Sequence, residues 1–293
     1  MSIRIITDSA SDIAQGSQQG LEIVPLSITF GEGTDAKVYS DGIDLTPQRF
    51  YELLVETDTL PKTSQPAPGL FREAYLSARE ANDDVVVVTI ASGLSGTYQS
   101  AQLALSEIEA IDPEYAARVH IIESGSACVG QRALVEWALR MVREGMSCEQ
   151  IVKELELRKR DLRVVVLLDT LEYLRRGGRL TGGAAAVGTL LSIKPVVELR
   201  DGVISILGKA RGSKNGKNLL NQKIEAVGGI DYDLPINVGY AGTSAHLANK
   251  YIDDSSHLWE SASGKPSVWP MGATIGTHTG PGAIAVSFFA KRV

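Results

Sequence analysis

Three segments hold the hydroxyl and imidazole groups from which a polar site could be built. Ser92-Gly93-Leu94-Ser95-Gly96-Thr97 follows the strand-like run Val85 to Ile90 and precedes a segment of helical period. Ser95 is therefore expected at the carboxyl edge of a sheet and the amino end of a helix, where unpaired N–H groups and the helix dipole favour an anion. A nucleophile elbow of the hydrolase kind needs Gly-x-Ser-x-Gly, and the last position here is Thr97. Holding an anion thus outranks both an activated nucleophile and a plain cap. Pro61-Lys62-Thr63-Ser64-Gln65-Pro66-Ala67-Pro68 sets two hydroxyls in a rigid, proline-flanked turn that leads into a helix near Gly69; a hydrogen-bonding site and a capped helix start are both open there. Gly276-Thr277-His278-Thr279-Gly280-Pro281-Gly282-Ala283 places one of four histidines in a Gly-rich loop beside two threonines. There His278 could donate to an anion or serve only structure.

Other segments carry less. In Asp8-Ser9-Ala10-Ser11-Asp12, Ser9 and Asp12 have capping-box spacing after a first strand, so a helix cap is expected and no metal. Gly280-x-Gly282-x-x-Ala285 superficially matches a dinucleotide fingerprint but precedes a strand, so it is rejected. The basic clusters around Arg175-Arg176-Gly177-Gly178-Arg179 and Lys209-Ala210-Arg211 are either solvated faces or docking points for an acidic or phosphate-bearing partner. Gly182-Gly183-Ala184-Ala185-Ala186-Val187-Gly188 suits close helix packing or one wall of a slender apolar tunnel. Only Cys128 and Cys148 occur, and both are expected to be buried thiols. Neither a disulfide framework nor a zinc site is encoded.

The elements that must position these groups alternate as in an α/β fold. Strands are expected over Ile3 to Thr7, Ile23 to Thr29, Val85 to Ile90 and Val119 to Ile122. Helices are expected over Gln48 to Val55, Gly69 to Glu80, Thr97 to Ile108, Val129 to Glu144 and Cys148 to Asp161. A second unit restarts at the strand Arg163 to Leu168, followed by short helices over Leu171 to Arg175 and Ala184 to Ile193. Val196 to Arg200 and Val203 to Leu207 flank Asp201-Gly202, a strong hairpin signal. A helix over Asn215 to Val227, a strand over Ile236 to Tyr240, a helix over Ser244 to Asp253, and strands over Ser267 to Met271 and Ala283 to Phe289 complete it. The expected domains are residues 1–162 and 163–293, the first with a mostly parallel sheet and the second with a mixed one. A net charge of −6 argues against nucleic acid as a partner. With no apolar run near the length that crosses a bilayer and no signal-like start, a cytoplasmic location is expected.

Thr7-Asp8-Ser9-Ala10-Ser11-Asp12, Thr63-Ser64-Gln65-Pro66, Ser92 to Ser100, Gly177-Gly178-Arg179, Lys194-Pro195 and His278-Thr279-Gly280-Pro281-Gly282 together closely resemble the DegV family, in the family's order and over essentially the whole chain. The resemblance implies two α/β domains with a long-chain fatty acid at their junction and its tail buried in one domain. It also implies that the protein does no bond chemistry alone, takes no cofactor, and presents the carboxylate to a separate ATP-dependent fatty acid kinase that makes the acyl phosphate. By this resemblance Thr63, Ser95 and His278, with the adjoining Ser64 and Gly96, hold the carboxylate. Arg179 and Arg211 engage the kinase, and contact with a membrane surface would be transient. Ala91, where many relatives carry a second serine, and the segment Asn237 to His246 depart from the pattern. Two other readings compete: a stand-alone lipid esterase using Ser95 and His278, and a regulator that responds to fatty acid.

Overall fold

A computed structural model describes residues 2–57, 59–180 and 192–292. The first half contains β1 (Ile3–Asp8), β2 (Leu21–Val24), β3 (Ser27–Phe30), β4 (Lys37–Ser40), α1 (Pro47–Glu56), β5 (Lys62–Ser64), α2 (Pro68–Glu80), β6 (Asp84–Thr89), α3 (Thr97–Glu109), α4 (Pro113–Ala116), β7 (Val119–Glu123), α5 (Cys128–Arg143) and α6 (Cys148–Arg158). There follow β8 (Leu162–Leu167), α7 (Glu172–Arg176), β9 (Ile193–Arg200), β10 (Val203–Arg211), α8 (Ser213–Glu225), β11 (Asn237–Tyr240), α9 (His246–Asp254), β12 (Ser267–Pro270), α10 (Ala273–Thr279) and β13 (Ile284–Phe289).

Strands β2-β1-β6-β7 form an all-parallel sheet. Its central strand β6 is buried on both faces at Val85, Val86, Val87 and Val88, as a parallel sheet covered by helices requires. A second sheet, β10-β9-β8-β13-β11-β12, is antiparallel except between β11 and β12. This is the expected pairing of a parallel sheet with a mixed one, and the β9–β10 hairpin turns where expected. Asp201 and Gly202 both have positive φ there, +50° and +75°, the geometry a two-residue turn between twisted strands demands.

Helix α5 lies between the two sheets and is buried on nearly every side, from Cys128 through Met141. Gly130 sits where a Cβ would fall 2.4 Å from Val164 Cγ2, so the helix and β8 pack in near backbone contact. Both cysteines are free and buried. No helix among the described residues is long and apolar enough to cross a membrane.

Four expectations need correction. The strand expected over Ile23 to Thr29 is two strands, because Pro25 has no N–H with which to continue a ladder. β2 stays in the parallel sheet, whereas β3 enters a separate antiparallel sheet, β4-β3-β5. Part of the proline-flanked turn is strand β5. Ser9–Ser11 forms only a 3-10 turn capped by Asp8, whose carboxylate accepts from the Ala10 N–H, while Asp12 adopts positive φ at its end; Ser9 is not the cap. Finally, His278 lies in helix α10 and not in a loop; of the glycines that suggested a loop, Gly276 is inside the helix and Gly280, at φ +69°, ends it. The small-residue run at residues 182–188 and most of the helix expected over residues 184–193 lie outside the described residues, while Ile193 opens β9.

Candidate functional site

Between the two sheets lies a cavity whose empty space, with its open mouth and adjoining solvent included, is ≈ 790 Å³. Strand periodicity builds one wall. Val164, Val166 and Leu168 face the cavity, while Val165 and Leu167 turn to the core beneath α8 and α9, as successive strand residues must. Val197, Leu199 and Ile204 of the hairpin extend this wall, and Leu26, Ile90, Ala127 and Cys128 face it from the first half. The interior is thus almost wholly apolar.

Polar groups gather among the lining residues. Thr63, Ser95, Arg179, Thr274, His278 and Thr279 all border the cavity. Thr63 Oγ1 lies 3.0 Å from His278 Nε2. The other ring nitrogen, Nδ1, is buried without a hydrogen-bond partner among the described residues. Burial, and then the nearby Arg179 charge, lower the His278 pKa to about 4, so the ring is neutral at pH 7 and donates from one nitrogen only. Ser95 Oγ lies 2.9 Å from Thr97 Oγ1 at the start of α3, whose N-cap Gly96 supplies no side-chain cap. That leaves the helix's amino end open to an anion.

Arg179 donates from Nε to the Leu94 carbonyl at 3.1 Å and from Nη1 to the Gly177 carbonyl at 2.7 Å. Its guanidinium is therefore fixed beside the Ser95 turn. Gln65 braces the same turn from the β5 side: its Nε2 donates to Ser100 Oγ at 3.0 Å, and its amide fills the space a Cβ on Gly96 would need.

Of the residues expected at the site, the structure brings Thr63, Ser95, His278 and Arg179 to one cavity. Ser64 is exposed and Gly96 is half-buried; neither is among the residues bordering the cavity. Strand alternation turns Ser64 away from Thr63. Arg211 is exposed at the end of β10 and stands apart from the cavity. Sequence reasoning missed Thr274 and Asp41 and read Asp12 only as part of a local cap, whereas Asp12 and the buried Asp41 hold the amino end of α10. Asp12 accepts from Gly272 N–H at 2.8 Å, and Asp41 from Ala273 N–H at 3.1 Å. These partners are more than two hundred residues apart in sequence, and no local pattern could have joined them.

The arrangement does not form an esterase triad. The Ser95 hydroxyl pairs with Thr97 and the imidazole with Thr63, and no carboxylate orients His278 Nδ1 among the described residues. A serine nucleophile needs both a base in contact and an orienting group behind that base.

Comparison with known proteins places this architecture. The family described as "uncharacterised protein, DegV family" matches residues 2–291, and the chain belongs to the DegV family. A DegV domain-containing protein of Halalkalibacterium halodurans is 33% identical over 297 residues, 99% of each chain. A solved structure reported as fatty acid binding of a DegV family protein from Thermus thermophilus is 33% identical, with TM-score 0.84 over 99% of this chain and 100% of that one. A fatty acid (stearic acid)-binding protein from Eubacterium ventriosum is 29% identical, with TM-score 0.87 over 99% and 98%.

Proposed function

We propose that the protein binds one long-chain fatty acid, burying the tail in the apolar cavity and holding the carboxylate with Thr63, Ser95 and His278 beneath the amino end of α3. The observation that carries this reading is the collection of the Thr63–His278 pair, Ser95 and Arg179 on an otherwise apolar cavity between two sheets. The binding of fatty acid by the relatives from Thermus thermophilus and Eubacterium ventriosum supports it. A desolvated carboxylate is stable where charge-assisted hydrogen bonds replace its water. Affinity comes from the tail. Burying about fourteen CH₂ groups at roughly 0.8 kcal/mol each yields about 11 kcal/mol, enough to outweigh an association cost at the low end of the range.

In this reading the chain divides into residues 1–162 and 163–293, and the acid bridges the two units. The chain makes no bond itself: it presents the carboxylate to a separate ATP-dependent fatty acid kinase, which forms the acyl phosphate. Arg179, beside the Ser95 turn, and Arg211, at the end of β10, are the residues proposed to meet that kinase. The test combines this protein, a fatty acid kinase catalytic subunit, ATP and palmitate, and traps acyl phosphate as the hydroxamate. Product that forms only when this protein is present supports the reading. A kinase that works equally well without it, or ester hydrolysis by this protein alone, overturns it.

A further inference from the structure

Asp41, just after β4, is 3% exposed and has both carboxylate oxygens occupied. Oδ1 accepts from Ala273 N–H at 3.1 Å; Oδ2 accepts from Thr274 N–H at 3.2 Å, from the Thr274 hydroxyl at 2.6 Å and from the Ser9 hydroxyl at 3.1 Å. Asp41 is thereby tied to the amino end of α10, the helix that carries His278 one turn further on.

The same small sheet carries Thr63. In register, Thr63 of β5 faces Ile28 of β3, and Ile28 faces Tyr39 of β4, two residues before Asp41. Two strand spacings across and two residues along place Asp41 about 12 Å from Thr63. Helix α10 closes this span from the other side, with its amino end on Asp41 and the His278 ring on Thr63 at 3.0 Å. Sheet and helix thus form a closed ring through Asp41, Thr274, His278, Thr63 and strands β5, β3 and β4.

Seven residues are too few for a helix to hold its own geometry, so α10 is set by whatever fixes its ends. A slip of one residue would rotate His278 by about 100° around the helix axis and part it from Thr63. Gly276 packs directly on Phe50 and Tyr51, so a helix that slipped could not make room by shifting sideways.

We propose that Asp41 is a positioning residue for the carboxylate site: by gripping the amino end of α10 it sets the rotation and height of the helix, and so the contact of His278 with Thr63. This rests on the fatty-acid reading above. It does not make Asp41 a contact of the ligand.

The test uses the full chain as parent, Asp41→Asn and Thr274→Val, with His278→Ala as reference. Three quantities are read: cooperative thermal unfolding, the titration midpoint of the His278 imidazole by NMR, and palmitate affinity. Asp41→Asn keeps the volume but cannot accept all four donors. It is expected to unfold cooperatively, to show an imidazole midpoint raised from about 4 toward the ordinary histidine value, and to bind palmitate about tenfold more weakly. Thr274→Val, which removes one donor and leaves Asp41 in place, should shift the midpoint the same way by less. If Asp41→Asn fails to fold, Thr274→Val decides alone. A folded variant with unchanged midpoint and affinity overturns the proposal. If the parent itself binds neither palmitate nor oleate, the fatty-acid reading fails, while the imidazole midpoint still reports whether Asp41 positions His278.

Discussion

Substituting Gly177 by alanine should disable the imidazole without touching it chemically. Gly177 has φ −74°, an ordinary helical conformation, so alanine meets no backbone strain there. Its Cβ would, however, fall 2.2 Å from His278 Nδ1 and 2.9 Å from Cε1, more than 1 Å inside the ~3.5 Å of normal contact. A ring displaced by that much loses the 3.0 Å geometry of its contact with Thr63, since hydrogen bonds tolerate only a few tenths of an ångström. Losing one charge-assisted bond to the ligand costs about 1.5–3 kcal/mol, or roughly 10- to 150-fold in affinity. Calorimetric titration with palmitate measures this loss. The methyl ester, which presents no carboxylate, should lose much less. Because the clash needs the ring, the Gly177→Ala/His278→Ala pair should bind no worse than His278→Ala alone, a non-additivity characteristic of side chains in contact. Parental affinity in Gly177→Ala, or simple additivity in the pair, would show that the imidazole does not hold the ligand.

Three further outcomes are expected. Burial pushes Asp12 up to about 8 and Asp8 to about 6 from an ordinary 3.8, so the folded state keeps protons that the unfolded chain has released, and stability falls as pH rises through these windows. His278, lowered to about 4, acts oppositely between about pH 4 and 6.5. Above pH 6.5 only Asp12 of these three remains, so stability should fall toward pH 8 by up to about 1.4 kcal/mol per pH unit from this group, and Asp12→Asn should make that slope shallower in denaturant unfolding, leaving whatever Asp41, also raised by burial, contributes. Ala285, 1% exposed and bordering the cavity, becomes an obstruction as leucine. Long acids should then lose about 2 kcal/mol, roughly 30-fold, and acids some three carbons shorter should lose little, as read from a chain-length series of affinities. Arg132, 3% exposed, lies 3.5 Å from the Trp269 ring centroid, donates to the Asp12 carbonyl at 2.8 Å and pairs with Glu136. Its truncation to alanine should cost about 3–5 kcal/mol of folding stability by urea unfolding.

The sequence made the local elements plain wherever one period ruled. The run Val85 to Val88, the helix that includes Thr97 to Ile108 and the Asp201-Gly202 turn all form as their patterns require. Thr63, Ser95 and His278 stand out as hydroxyls and an imidazole among glycines and prolines, but each also has a structural reading, and only the resemblance to the DegV family joins them as one site. Their convergence could not be read locally, since Thr63 and His278 meet across a sequence separation of 215. Helix α10 was hidden because Gly276, Gly280 and Gly282 read as loop. Gly276 is helical for a steric reason, a Cβ there falling 2.5 Å from Phe50 Cε1, which is visible only once α1 is packed against it. Asp41 gave no signal at all, lying in a short Ser-Asp-Gly turn whose partners are on a distant helix.

Native mass spectrometry of the purified full chain, before and after incubation with palmitate, oleate and stearate, bears most directly on the lipid-carrier reading. One equivalent of a long-chain fatty acid, retained from the cell or taken up on incubation and released only on denaturation, is the predicted result. A protein that stays empty in the presence of all three acids contradicts it.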